Sequence, residues 1–320
     1  QEQVTQPAAL RAYLQTHYGR PELAEVSPWE RVDVALAHRE PDRVPFDFWA
    51  VPEVWSTLRG ALNTDDEGVL RLLGVDCRMV TAQYVGDRAR NLPDGTSVDA
   101  WGTHRRSVSN EFGTYEEYAS HPLAAAETVD DVLSWDWASP DDWDVSEVRS
   151  QCERLSGDLR HHLRDEVGGI FEWSWALRGC ERFVLDLVEK PEVACAIMDR
   201  FTDVYIENTV RVIDAAGGLL DMVYTYDDVG MQRGPLMSMR MWRQYILPRH
   251  QRLNAAIRAA GYPVKIMYHS CGAIYPFIAA FIDEMGIDVL NPLQPRAAGM
   301  DLERIKAEYG SRLAFHGALD

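Results

Sequence analysis

The sequence predicts an α/β protein of the (β/α)8 barrel class, and three observations carry that expectation. Strand and helix signals alternate through most of the chain, the pattern that produces a parallel sheet with crossover helices. Ionisable, amide and aromatic residues recur just after successive predicted strands, where such barrels carry their active sites. A length of 320 residues is one that a single α/β barrel fills alone.

The elements follow in order. Residues 8–18 read as an opening helix, the core of an amino-terminal extension over 1–27 that precedes the barrel at 28–320. A second helix is expected over 28–38, with Ser27 as N-cap and Pro28 at the first helical position. Arg39-Glu40-Pro41-Asp42-Arg43-Val44-Pro45 then turns the chain into a short apolar strand at 44–49, and another strand is expected at 75–80, after a helix closed by Gly74. The turn Pro93-Asp94-Gly95-Thr96 joins two alternating stretches that read as an inserted antiparallel hairpin. Further strands are expected at 168–173, 220–226, 264–269, 288–291 and 314–317, separated by amphipathic helices at 180–187, 193–216, 239–260 and 274–285. These are seven barrel strands, and an open parallel edge would leave backbone groups unpaired, so an eighth is expected beyond Asp320. His161 and His162 read as surface residues of a polar helix.

Composition excludes several function classes. Hydrophobic and charged fractions of 46% and 26% suit a globular enzyme. A formal charge of −18 argues against a nucleic-acid surface, which needs clustered Lys and Arg. No apolar run approaches the ~20 residues needed to span a bilayer, and the polar amino terminus lacks the basic-then-apolar order of a secretory signal. Five scattered cysteines read as reduced thiols in the cytoplasm, not as a disulfide framework.

The strongest chemical signal is Met267-Tyr268-His269-Ser270-Cys271-Gly272. Residues two apart in a strand share a side, so His269 and Cys271 project together at the strand's carboxy-terminal end. Imidazole and thiolate are good zinc ligands, although two ligands do not complete a site and a core His beside a buried thiol is the ordinary alternative. Asp227 and Asp228 follow the strand ending at Tyr226, placed either to bind substrate and exchange protons or simply to order the loop. Glu172 and Trp173, Asn291 and Gln294, His316, and Asp47 with Trp49 occupy comparable positions on other strands. Each could be structural alone. Their convergence on one end is hard to obtain from packing, because a core accommodates few ionisable groups. No Walker loop, dinucleotide fingerprint or nucleophile elbow is found.

Four stretches also resemble a known family. Glu30-Arg31-Val32 through Arg43-Val44-Pro45 is similar to the opening of the uroporphyrinogen decarboxylase-like superfamily. His269-Ser270-Cys271-Gly272, Gly286 through Pro295, and Ala298 through Asp320 continue the resemblance, which spans roughly residues 28 to 320. Within that superfamily the His-x-Cys strand end resembles the corrinoid (cobalamin)-dependent methyltransferase branch. The resemblance implies zinc ligation by His269 and Cys271. The third ligand of the coenzyme M enzymes, a Cys near the carboxy terminus, has no matching position. Glu172, Asp228, His316 or a residue beyond Asp320 is expected to replace it. The Arg-rich substrate motif of true uroporphyrinogen decarboxylases is missing, and Pro45 through Ala50 stands in its place.

The expected activity is therefore a zinc-dependent transfer of a methyl group between a small O-, N- or S-methyl compound, or a thiol, and a corrinoid. Asp227, Asp228 and Glu172 would manage protons and orientation, while Asp47, Trp49, Tyr226, Asn291, Gln294 and His316 would line the pocket. The corrinoid is expected on a separate protein, since no second domain holds it, with Trp49, Trp55 and Trp173 near the docking end. A homodimer is the oligomeric candidate. The competing readings are a metal-free decarboxylase using Asp47 or Asp228 as proton donor, and a non-catalytic barrel that holds a methyl carrier.

Overall fold

The computed structural model describes residues 26–111, 113–157 and 159–318, so the helix expected at 8–18 lies outside the described residues. The chain forms two compact units: the described part of Gln1–Val80 together with Ser150–Arg164, and Thr81–Arg149 together with Asp165 onward.

In the first unit, helix α1 (Pro28–Leu36) begins with a capping box in which Ser27 and Glu30 each satisfy the other's backbone N–H. Helices α2 (Pro52–Leu62) and α3 (Asp66–Leu73) follow, and α3 ends on Gly74 at φ 66°, the left-handed C-cap that glycine accepts without strain. Strand β1 (Cys77–Met79) pairs in parallel with the start of strand β2 (His162–Gly169), Cys77 opposite His162 and Met79 opposite Arg164.

The segment at 44–49 is not a strand. Its backbone is held by a residue instead of a ladder. The Phe46 N–H donates to the Asp76 carboxylate at 2.7 Å, and the Phe46 carbonyl accepts from the Asp76 N–H at 2.8 Å. Asp76 is fully buried, and its carboxylate also takes Arg31 at 2.7 Å and Arg43 at 2.8 and 2.9 Å. Arg31 in turn grips Asp42 with two donors, both at 2.6 Å. The Arg31, Asp42 and Arg43 of the opening motif thus tie α1, the following turn and the start of β1 into one charge cluster around the buried Arg31–Asp76 pair. Asp76→Ala would leave two guanidinium groups without their shared acceptor. Equilibrium urea unfolding is expected to show a loss of about 3–5 kcal/mol, the cost of breaking a buried ion pair from one side; a change below about 1 kcal/mol would contradict the cluster's role.

His161 and His162, expected on a polar surface helix, are buried. His162 opens β2, and His161 Nδ1 lies 2.9 Å from the Leu155 carbonyl. The run Arg160 to Asp165 looks solvated by composition, yet its polar groups find partners inside. Arg164, for example, pairs with Asp47.

In the second unit, the expected hairpin is one edge of a larger insertion. Arg90–Asn91, Thr96–Val98, His104–Asn110 and Gly113–Ser120 form a four-stranded antiparallel sheet in chain order. Strand β2 ends at Gly169, four residues before the predicted end at 173, and helix α4 (Ile170–Arg178) starts at once. Glu172 and Trp173 therefore sit on the first turn of a helix and not at a strand end. Helices α5 (Cys180–Glu189) and α6 (Pro191–Ala216) lead to strand β3 (Met222–Tyr226).

The helix expected over 239–260 contains a π-helical turn, Trp242–Ile246, ahead of helix α7 (Leu247–Ala259). Pro248 lacks the N–H that would continue regular α bonding there. Strands β4 (Lys265–His269), β5 (Val289–Asn291) and β6 (Ala314–Phe315) follow, with helix α8 (Leu302–Tyr309) between the last two. The helix expected at 274–285 is instead a 3-10 turn (Tyr275–Phe277), one α turn (Ile278–Ala280) and a π turn (Phe281–Met285). Strands β3 to β6 are parallel neighbours in chain order, with Tyr226 opposite His269, His269 opposite Asn291, and Leu290 opposite Phe315. That register places one row of side chains across the carboxy-terminal strand ends. Among the described residues no helix is long and apolar enough to cross a membrane.

Candidate metal centre

Three side chains from two strand ends meet in the second unit. His269 ends β4, Cys271 follows two residues later, and Asp228 follows the end of β3. Cys271 Sγ lies 3.3 Å from His269 Nε2, which is 3.5 Å from Asp228 Oδ1. One donor atom from each residue lies within 4.8 Å of the others. Zinc–sulfur and zinc–nitrogen bonds of ~2.3 and ~2.0 Å in a tetrahedron would separate those two donors by roughly 3.5 Å. The donor set and spacing therefore fit a zinc-sized cation with a position left open, and all three residues are partly exposed.

The imidazole is oriented for that task by its neighbours. His269 Nδ1–H donates to Asn291 Oδ1, while Asn291 Nδ2–H donates to His316 Nδ1. An amide has one face that accepts and one that donates, so this chain places the His269 proton on Nδ1 and leaves the Nε2 lone pair toward Cys271 and Asp228. The strand register explains why these residues meet, since His269 and Asn291 are direct partners and the His316 N–H donates to the Leu290 carbonyl at 2.9 Å.

The two loops are fastened together by backbone. Cys271 N–H donates to Asp228 Oδ1 at 2.6 Å, Gly272 N–H to Gln294 Oε1 at 2.6 Å, and Val229 N–H to Ser270 Oγ at 3.0 Å. Gly272, at φ 85°, passes so close that a Cβ there would stand 2.7 Å from the Gly230 carbonyl carbon. Any side chain at that position would push apart the loops carrying Cys271 and Asp228.

The neighbouring Asp227 is built differently. It is fully buried, and its Oδ1 accepts the N–H groups of Phe171 and Glu172 at 2.8 and 2.9 Å. Its Oδ2 meets His250 Nε2 at 2.7 Å. Gly169, the N-cap of α4, has no side chain to cap the helix, and a Cβ there would stand 2.8 Å from Tyr226. Asp227 thus supplies from another strand end the capping that Ser or Asp usually supplies locally. Glu172 Oε1, placed by that first turn, accepts the Asp228 N–H at 2.9 Å.

Electrostatically the centre favours a cation. Burial, then the Asp227 and Asp228 carboxylates, push Glu172 up to about 8. Burial, then Asp228 and Glu172, push the Cys271 thiol up to about 12. Both protons are retained because the surroundings are already short of positive charge, and a bound divalent ion reverses that balance.

Aromatic side chains flank the imidazole. The Tyr224 and Tyr226 rings lie 6.1 and 6.5 Å from the His269 ring, and Trp173 Nε1–H donates to the Tyr226 hydroxyl at 3.0 Å. Of the residues predicted from sequence, Asp228, Glu172, Tyr226, Asn291, Gln294, His316, His269 and Cys271 are thus linked in one network. Asp47 and Trp49 belong to the first unit, where Trp49 Nε1–H donates to Asp47 at 2.8 Å and the Arg164 guanidinium covers the Trp49 ring at 4.6 Å. Trp55 packs edge-on against Phe48 in the same unit. Sequence reasoning missed His250, Ser270 and Arg105. Nothing adjacent to His250 in the chain marks it, because its partner lies on another strand.

Residues 124–320 match the model of the family described as uroporphyrinogen decarboxylase (URO-D), which is more than half of the chain. The chain belongs to the URO-D family. Its fold is accordingly the (β/α)8 barrel, consistent with the parallel strand–helix alternation of β2 to β6. Among solved structures, this URO-D family member is similar in fold to a methyltransferase from Methanosarcina mazei, with a TM-score of 0.60 and 17% identity over 91% of this chain and 82% of that one. No curated protein matches it.

Proposed function

We propose that this URO-D family member is a zinc-dependent methyltransferase that moves a methyl group between a small O-, N- or S-methyl compound, or a thiol, and a corrinoid carried by a partner protein. The observation that carries this reading is the convergence of Asp228, His269 and Cys271, with His269 Nε2 freed toward the other two by the Asn291–His316 chain. A soft nitrogen and sulfur donor pair with one carboxylate suits zinc. When bound, the ion supplies Lewis acidity toward the heteroatom that gains or loses the methyl group.

The remaining work falls to the chain's own residues. Asn291 and His316 hold the imidazole in its liganding orientation. Glu172 accepts the Asp228 N–H and lies beside it, where its carboxyl group can orient the substrate and exchange a proton with the reacting heteroatom. Tyr224, Tyr226 and Trp173 form an apolar flank that limits water. Membership of the URO-D family gives weight to a decarboxylase, but a polycarboxylate brought to this end would face Asp228 without a compensating Arg among the residues that touch the centre.

The test uses the full protein loaded with zinc, a panel of methyl donors and a reduced corrinoid protein. Without the corrinoid protein no transfer is expected; adding it should produce methylcobalamin absorbance. Efficient demethylation in its absence, or full activity with stoichiometric metal removed, would defeat the proposal and return weight to a metal-free decarboxylase. Docking of the carrier is expected to be weak, because it must leave to deliver its methyl group.

A further inference from the structure

The inserted antiparallel sheet carries a cation that the chemistry above does not use. Arg105 lies on the strand His104–Asn110, with 24% of its side chain exposed in a chain of strongly negative charge. Its Nε–H donates to Asp99 Oδ2 at 3.1 Å. Asp99 is itself fixed, since its Oδ1 accepts the N–H groups of Trp101 and Thr103, both at 3.0 Å. The guanidinium carbon sits 4.8 Å from the Tyr118 ring centre and 5.3 Å from that of Trp173. Asp99 is the one carboxylate that pairs with it among the described residues, through Nε, and the Tyr118 hydroxyl takes a further hydrogen bond from the Arg105 side chain.

Trp173 connects this cation to the candidate centre. Its ring faces Arg105 on the insertion side, and its indole N–H is fixed on the Tyr226 hydroxyl, beside His269. Burial pushes the Tyr118 hydroxyl up, while Arg105 opposes that shift and the Asp99 and Glu172 carboxylates add to it. One end of this aromatic stretch thus carries the acids around Cys271, and the other the partly exposed Arg105–Asp99 pair.

We propose that Arg105, held by Asp99 over Trp173 and Tyr118, is the subsite for a carboxylate on the small methyl-bearing substrate. The proposal rests on the reading of the Asp228–His269–Cys271 centre as the place where that substrate reacts. One guanidinium carries one charge and a planar pair of donors, which matches a carboxylate better than a dianion. With its carboxylate on Arg105, such a substrate turns its heteroatom and methyl group toward the centre. The insertion therefore sets both which substrates bind and which end of them reacts.

Phenylacetate and its neutral counterpart phenylacetamide are the probes, titrated calorimetrically into metal-free and zinc-loaded protein. Phenylacetate is expected to bind at least ~10-fold tighter than the amide in both forms, the scale of a hydrogen bond to a charged partner. Arg105→Gln should erase that preference, and Arg105→Lys, which keeps the charge, should retain part of it. Circular dichroism and thermal melts of both variants establish that the inserted sheet survives. Equal binding of the two probes, binding of neither, or an intact preference in a folded Arg105→Gln protein would overturn the subsite. Failure of the protein to take up zinc would count against the proposed function instead, because the metal-free arm still reads Arg105.

Discussion

Cys271→Ala is expected to abolish stoichiometric zinc and, with it, methyl transfer. The thiol is one of three donors from two strand ends, and its removal leaves His269 and Asp228, a pair that holds a catalytic ion weakly. Even a residue that only orients a ligand typically costs ~10–100-fold in metal affinity when removed. Loss of a ligand itself should therefore exceed ~100-fold. A graded series follows from the same geometry. Cys271→Ala, His269→Ala and Asp228→Ala should fall together at the bottom. Asn291→Ala should lie between them and the parent, because it removes only the hydrogen bond that turns the imidazole. Elemental analysis after dialysis against a weak chelator gives the order. Full zinc occupancy in folded Cys271→Ala protein would show that the donors are misassigned, and Asn291→Ala falling below Cys271→Ala would place the amide in the ligand set.

The part of this centre that was legible in the sequence is the part that follows from strand periodicity. His269 and Cys271 are two apart at a strand end, and that spacing alone puts them side by side. Asp228, Asn291, Gln294 and His316 could be placed at the same end because each follows a recognisable apolar strand. Glu172 was found for a partly mistaken reason. Residues 162–169 are polar in composition, which shifts the expected strand to 168–173, whereas the strand ends at Gly169 and a helix start presents Glu172. Local sequence could not reveal that start, because the cap comes from Asp227 on another strand while Gly169 offers none. The same holds for 44–49, where extended, apolar residues suggested a strand but Asp76 takes the place of a neighbouring ladder. Long-range side-chain bonds to backbone leave no periodic trace, and they account for these errors.

Asp227→Ala is expected to be the most destabilising single change in the second unit. Each Asp227 oxygen has a buried partner, Oδ1 two helix N–H groups and Oδ2 the His250 imidazole, and both side chains of the Asp227–His250 pair are fully buried. Truncation leaves two capping donors and the buried His250 ring without their acceptor. The expected loss is about 3–5 kcal/mol, as for other buried pairs broken from one side. Asp227→Asn should cost much less, since its amide oxygen still accepts from Phe171 and Glu172. His250→Ala removes only one of the three bonds and should also cost less. In a double-mutant cycle the two alanine changes should be less than additive by about 1–3 kcal/mol, because the second removes a partner already orphaned by the first. A purely structural role would stop at stability. Here the cap positions Glu172, whose carboxylate accepts the Asp228 N–H, so Asp227→Ala should also weaken zinc binding in whatever fraction remains folded, by ~10-fold or more. Full additivity in the cycle would separate Asp227 from His250, and unchanged zinc affinity in folded Asp227→Ala protein would separate the helix cap from the metal centre.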